Sequence, residues 1–462
     1  MNTAATANDG AMQERWTGRT GFILANIGAA IGLGSIWKFP YEVGTNGGGV
    51  FVAFYLAGLL LIVLPLALAE FAVGRRGRAD AAGSILALAQ EVGASRHWAL
   101  VGSLGILTGF LILSFYAVIG GWTVAYSIDV LRAELPDTDV ARVRAAFAAL
   151  LASPAKMALY HAIFMAITAL IVVRGIAHGI EAANKVLMPV LLAIIVVLAI
   201  YSIAIGDLAA TVRFLFQVDP AKVTARAALE ALGLGFFSIG VGLGLMITYA
   251  AYADASIDLR EVAVITVLAD TAVSFAAGFA IFPIVFANGL DPASGPGLLF
   301  ITVPLAFAQM PFGTLAAAAF FVLLFVAALS SAVSLLELCV AWIIRRSGWA
   351  RSRATLAAAF WAWLLGLATV FSFNLWSDWF PLARLGGFER ATLFDLVDHL
   401  TSNLLLPVGG FALSILAGWI LSERWLDREL RMHRWLATLL RVLLRYVAPA
   451  TIAVVAIATY FV

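Results

Sequence analysis

The chain has 462 residues, of which 63% are hydrophobic and 12% charged, with a formal net charge of +2 and one cysteine, Cys339. This composition excludes an intramolecular disulfide framework and offers no basic patch for nucleic acid, because the lysines and arginines sit in short loops. It describes an all-α polytopic membrane protein; a β-barrel is excluded because the apolar stretches are continuous runs.

A spanning helix needs ~20 mostly apolar residues, and about eleven such runs follow one another. Residues 1–14 are polar and expected to be a mobile cytoplasmic terminus, with order beginning near Arg15-Trp16. The first apolar run is too long for the core of a signal peptide, so no cleavable signal is expected. Segments 1 and 2 fall at 20–44 and 50–74. Segment 3, at 98–132, is longer than a bilayer requires and reads as tilted. Segments 4 and 5 fall at 157–174 and 183–205. A polar stretch from Gly206 to Arg226 reads as partly helical, and segments 6 and 7 follow at 229–253 and 261–287. Apolar sequence punctuated by Gly and Pro, from Asn288 to Phe312, is too short to span twice and reads as a re-entrant or capping hairpin. Segments 8 to 11 fall at 314–344, 354–373, 392–421 and 437–461.

Segments 1 and 6 each carry a glycine cluster: Gly28-Ala29-Ala30-Ile31-Gly32-Leu33-Gly34-Ser35 and Gly240-Val241-Gly242-Leu243-Gly244. Each glycine weakens a helix by ~1 kcal/mol relative to alanine. In hydrocarbon, freed backbone groups must find partners, so a broken helix at bilayer depth marks a cavity or ligand site. Paired interruptions in corresponding positions point to a transporter built on an inverted repeat. The expected organisation is therefore a first five-helix repeat over 15–205, an extracellular connection over 206–228 and a second five-helix repeat over 229–421. A cytoplasmic loop and an additional helix 11 would fill 422–462.

Charge bias in short loops sets the orientation. With the N-terminus cytoplasmic, three clusters lie inside: Arg75, Arg76 and Arg78; Arg345, Arg346, Arg351 and Arg353; and Arg424, Arg428, Arg431 and Arg434. Glu134, Asp137, Asp139, Asp207, Asp219, Asp291 and Asp378 then lie outside. This implies a multi-pass protein of the inner, or plasma, membrane.

Amides freed at a half-helix N-terminus suit a carboxylate, and freed carbonyls suit an ammonium or Na⁺. A zwitterion matches both, and Gly32 stands where an amine without its own carboxylate would want an acid. Ser330 and Ser331 on segment 8 offer adjacent hydroxyls, either to a cation or to neighbouring helices as glue. Asp270 lies within segment 7, where an acid is costly unless paired or coordinated; the alternative is a misplaced segment end. For Glu70 and Glu337, hydrogen bonding to broken backbone is expected. Tyr116 either donates to a substrate carboxylate or packs. No HExxH or comparable catalytic arrangement is present, so an enzyme is not expected.

These residues resemble the neurotransmitter:sodium symporter family. The likeness rests on Arg15-Trp16, Phe22, the run from Ala30 through Gly34-Ser35-Ile36-Trp37-Lys38-Phe39-Pro40, and Asn46-Gly47-Gly48-Gly49. It extends to Gly179-Ile180-Glu181, Asn184-Lys185 and Pro189, the pattern that bacterial members unwind near the inner sodium site. Ile247-Thr248-Tyr249, Leu329-Ser330-Ser331 and Asp395 with Asp398 continue it.

The resemblance implies two sodium sites. One would use the carbonyls of Gly28, Ile31 and Ala327 with the hydroxyls of Ser330 and Ser331. The other would use the Ala30 carbonyl, Ser238, the substrate carboxylate and Asp270, with Ser35 in place of the usual Asn. The substrate carboxylate would meet the amides of Leu33 and Gly34 and the Tyr116 hydroxyl, and its ammonium the carbonyls of Ala30, Phe237 and Ser238. Ile112, Ile119, Phe237, Leu243 and Leu335 would bound the side chain, with Gly240 leaving room. Lys38 and Asp398 would form the outer gate. At the inner gate Gln13 and Arg345 replace the family's Arg–Asp latch, leaving control to Trp16 and Tyr252. With Asp270 beside Ser274, chloride is not expected to be required, nor is an organic cofactor.

The resulting expectation is symport of a neutral, hydrophobic or aromatic amino acid with one or two Na⁺. Alternatives are a single-Na⁺ or proton-assisted transporter, or an amino-acid sensor that moves nothing.

Overall fold

The computed structural model describes residues 14–132, 137–290, 297–421 and 423–458, and every regular element among them is helical. Among these residues, nine helices are long and apolar enough to span: Gly49–Gly77, Arg96–Leu131, Pro154–Val172, Ile176–Ile205, Leu259–Ala287, Gly313–Ser347, Arg351–Ser372, Leu393–Ile420 and Arg434–Ile457. Arg19–Ala30 and Gly34–Thr45 form one further span, bent by 49° at its break. Ala225–Ile239 and Leu245–Ala251 are each too short to cross alone and together supply the sixth of eleven spans.

Burial orders the bundle. In the most apolar stretches of the third and eighth spans 78% and 83% is buried, against 28% in the last span. The third and eighth therefore form the centre, and the last lies against the outside. A helix apolar all round belongs in such a centre. Small residues let its neighbours close in. A Cβ on Gly121 of the third span would lie 2.8 Å from the backbone of His161 on the fourth.

The sixth span starts at Ala225, four residues earlier than expected, because Thr224 caps it with a hydroxyl accepting from Ala227 N–H at 3.0 Å. The polar connection before it contains the helix Leu208–Phe216 and a turn at Pro220–Lys222. Of the expected hairpin, the helical stretch Leu298–Ala308 is described and caps the third span, with Tyr126 donating to the Phe300 carbonyl at 3.0 Å. Glu134, Asp291 and Gln13 lie outside the described residues, as do 1–12.

The two breaks have different physical origins. Gly240, Gly242 and Gly244 have φ of 74°, 90° and 75°, a region that side chains with a Cβ disfavour. In the first span the helix runs through Gly28 to Ala30 and only Ile31 and Gly32 are irregular. Gly32 is needed there for close approach: a Cβ would lie 2.4 Å from Ser331 Oγ and 2.7 Å from the Tyr116 hydroxyl.

Candidate functional site

The two breaks meet against the third, seventh and eighth spans, and oxygen atoms converge on them in two clusters. At the first, Ser331 Oγ lies 3.3–3.4 Å from the carbonyls of Gly28, Ala29 and Ile31. Ser330 Oγ lies 3.4 Å from the Ile31 carbonyl and 3.0 Å from that of Ala327. Freed carbonyls of the first break and hydroxyls of the eighth span thus share one locus, a donor set that suits a hard monovalent cation.

The second cluster is built on Asp270, fully buried within Leu259–Ala287, so its intramembrane position does not come from a misplaced boundary. Ser35 Oγ donates to Asp270 Oδ1. Ser238 Oγ donates to the same oxygen at 2.7 Å, and the Tyr55 hydroxyl donates to Oδ2 at 3.1 Å. Ser35 and Ser238 oxygens are 3.1 Å apart, which brings both broken spans to one carboxylate. Tyr55 joins this cluster without belonging to any motif. Only its aromatic hydroxyl in an otherwise apolar run signals it in the sequence.

Between the clusters lies a cavity of about 30 Å³. Ala30, Gly34, Ile112, Tyr116, Phe237, Ser238, Gly240, Leu243 and Leu335 line it, joined by Ala29, Gly32, Leu245 and Ser331. Leu33 and Ile119 do not line it; both side chains are buried in neighbouring packing. The Leu33 N–H instead donates to the Tyr116 hydroxyl at 3.0 Å. A water needs ~10–15 Å³ measured this way, so the closed cavity holds about two. A ligand of more than a few heavy atoms therefore needs this cavity to widen.

Glu70 supports the second break, accepting from Gly242 N–H at 2.7 Å, as expected of a buried acid beside freed backbone. Glu337 does not follow that expectation. It accepts from the Tyr252 hydroxyl at 3.0 Å and pairs with Arg351. Arg351 also pairs with Glu14 at 3.1 Å, and Glu14 accepts from Ile176 N–H at 2.8 Å. Trp16 Nε1 donates to the Tyr249 carbonyl at 2.9 Å. The start of the first span is thus tied to the fifth, sixth, eighth and ninth. Arg345 pairs with Asp80 at 3.0 Å, away from this clasp. The clasp is invisible in the sequence because its charges are remote in the chain and belong to no motif; Arg351 reads there only as a loop charge.

The expected outer gate is not closed by contact: among the described residues no ion pair joins Lys38 and Asp398. The Lys38 ammonium sits 4.9 Å from the centre of the Phe237 ring, within electrostatic reach of Asp398, Glu42 and Glu230. Asp398 accepts from Ser402 Oγ at 2.9 Å. A compact ammonium carries no fork to hold a carboxylate bidentately, and the ring face competes for it.

The sequence matches the sodium:neurotransmitter symporter family over residues 13–147 and 148–458. The chain belongs to that family. It is 35% identical over 96% of its length to a sodium-dependent transporter of Bacillus subtilis (strain 168), YhdH, of which it covers 96%. It is 26% identical over 73% of its length to the sodium-dependent dopamine transporter of Bos taurus, covering 54% of it. The crystal structure of MhsT in complex with L-phenylalanine superposes with a TM-score of 0.89 at 37% identity, over 96% of this chain and 99% of MhsT. As a member of this family the protein is a multi-pass, sodium-dependent symporter of a small molecule and not an enzyme.

If Tyr116 contacts the substrate carboxylate, Tyr116→Phe removes one hydrogen bond, and substrate affinity is expected to fall ~3–10-fold, corresponding to ~0.5–1.5 kcal/mol. Ligand titration followed by thermal unfolding measures this, and an unchanged affinity would assign Tyr116 to packing.

Proposed function

We propose that this symporter imports a neutral amino acid with a hydrophobic or aromatic side chain by alternating access, coupled to Na⁺. The observation that carries the reading is the cavity between the two breaks, lined both by freed backbone and hydroxyl groups (Gly34, Tyr116, Ser238, Ser331) and by the apolar side chains of Ile112, Phe237, Leu243 and Leu335. A zwitterion would place its carboxylate at the Leu33 and Gly34 amides and Tyr116. Its ammonium would lie at the carbonyls of Ala30, Phe237 and Ser238. The L-phenylalanine bound by MhsT supports this substrate class.

Residues 15–205 and 229–421 would be the two five-span repeats; with the arginine-rich loops inside, the N-terminus would lie in the cytoplasm and the protein in the plasma membrane. One Na⁺ would bind at Gly28, Ile31, Ala327, Ser330 and Ser331. A second would bind at Ala30, Ser35, Ser238 and Asp270, whose negative charge beside Ser274 makes chloride unnecessary. One observation favours a single-sodium or proton-assisted variant: three hydroxyls already satisfy Asp270 without a cation.

Purified protein in proteoliposomes is expected to accumulate radiolabelled phenylalanine or leucine under an inward Na⁺ gradient and to lose uptake in choline. Binding without accumulation would mark a sensor, and equal uptake in choline would remove sodium coupling. In detergent, a true substrate at ~100 times its Kd should add ~2.7 kcal/mol of stability in Na⁺ and little in choline.

A further inference from the structure

A lateral groove of about 300 Å³ opens between the third, eighth and ninth spans, at the end of the bundle that carries Trp16 and Tyr252. Its walls are Ile106, Leu107 and Phe110 on the third span, Cys339 and Trp342 on the eighth and Trp361 on the ninth. Leu107, Trp342 and Trp361 are exposed, so the groove faces outward from the bundle rather than into the site described above. In a bilayer such a surface meets acyl chains.

The charges beyond the groove decide which lipid. On the eighth span Cys339, Trp342 and Arg346 stand at positions i, i+3 and i+7, so Arg346 caps the groove-lining face about two turns further along. Its neighbour Arg345 is directed to Asp80, and Arg351 to Glu337 and Glu14. Arg346 and Arg353 are both exposed, and among the described residues neither has a carboxylate within ion-pair distance. Arg353 rests against the Trp349 ring at 4.9 Å. In the chain, Arg346 follows the last lining residue of the eighth span, Ile343, by three positions, and Arg353 precedes the first of the ninth, Ala358, by five, so both exposed guanidinium groups stand at the helix ends beyond the trough.

We propose that this groove binds an anionic glycerophospholipid, one acyl chain lying along Leu107, Cys339 and Trp361 and the phosphate-bearing headgroup between Arg346 and Arg353. Each arginine near an anionic headgroup contributes enough that two together favour phosphatidylglycerol over phosphatidylcholine by about thirtyfold in affinity.

The test uses the full chain, delipidated in dodecyl maltoside and titrated with dioleoyl phosphatidylglycerol or dioleoyl phosphatidylcholine. Lipid retention is followed by native mass spectrometry. Phosphatidylglycerol is expected to be retained at concentrations about thirtyfold below those at which phosphatidylcholine is. The surface pair Arg346→Gln and Arg353→Gln should abolish that headgroup preference. Ala358→Phe, which fills the groove, should abolish retention; Leu107→Trp serves the same purpose if that variant is not monodisperse. Equal retention of the two lipids by the wild type overturns the proposal. So does an undiminished preference in the arginine pair, or a dimer that excludes lipid from the groove.

Discussion

Replacing Arg351 with alanine is expected to destabilise the protein by about 3–5 kcal/mol, because it strands a buried carboxylate. Glu337 is fully buried, and its partners are Arg351 and the Tyr252 hydroxyl. Arg351 also holds Glu14, and that link, with the one from Trp16 to Tyr249, exists only while the start of the first span lies against the sixth and ninth. Arg351→Ala therefore shifts the population towards a state with this mouth open, and apparent substrate affinity on the opposite side falls with the closed fraction. Hydrogen–deuterium exchange of the segment from Glu14 to Ala25 should quicken in the variant. Glu337→Gln in the same background should recover most of the lost stability, since the stranded charge is then gone, and the double-mutant cycle measures the coupling. A cost for Arg351→Ala of less than ~1 kcal/mol, the range of an exposed pair, would reduce the clasp to surface decoration.

The clasp also shows where the sequence stops being informative. Both breaks are legible because glycine clusters inside an apolar run weaken a helix that the membrane otherwise demands, and such a cost is sustained where the backbone opens onto a site. Ser330, Ser331 and Asp270 are legible because polar groups at bilayer depth are costly unless used. What joins them is not. Nothing local tells that Tyr55 donates to Asp270 across 215 positions, or that Glu14, Glu337 and Arg351 converge. Span ends shift by a few residues wherever a side chain caps the helix, as Thr224 does. The glycines of the first break also differ in purpose from those of the second: Gly32 is there for the closeness of Ser331 and Tyr116, with no unusual φ. Lys38 and Asp398, paired by family pattern, form no direct ion pair; the ammonium lies over the Phe237 ring, with Asp398, Glu42 and Glu230 in electrostatic reach.

Asp270→Ala should have the largest effect on transport. Three donors, Ser35 Oγ, Ser238 Oγ and the Tyr55 hydroxyl, converge on this one carboxylate. Truncation leaves all three buried without their acceptor, at about 1–3 kcal/mol for each group that finds no other partner. Because Ser35 and Ser238 sit on the two broken spans, the loss also frees the breaks from each other. Na⁺-driven uptake is expected to fall at least ~100-fold, with Na⁺-dependent thermal stabilisation by substrate falling in step. Asp270→Asn separates charge from shape: it keeps an oxygen acceptor but removes the negative charge that would hold a cation. If two ions are carried, the Asn variant folds normally yet needs far more Na⁺ for the same substrate-induced shift. If Ser330 and Ser331 hold the one coupled ion, the Na⁺ requirement survives in Asp270→Asn and disappears in Ser331→Ala. Uptake in Asp270→Ala within threefold of wild type would show that the Asp270 cluster only ties helices together.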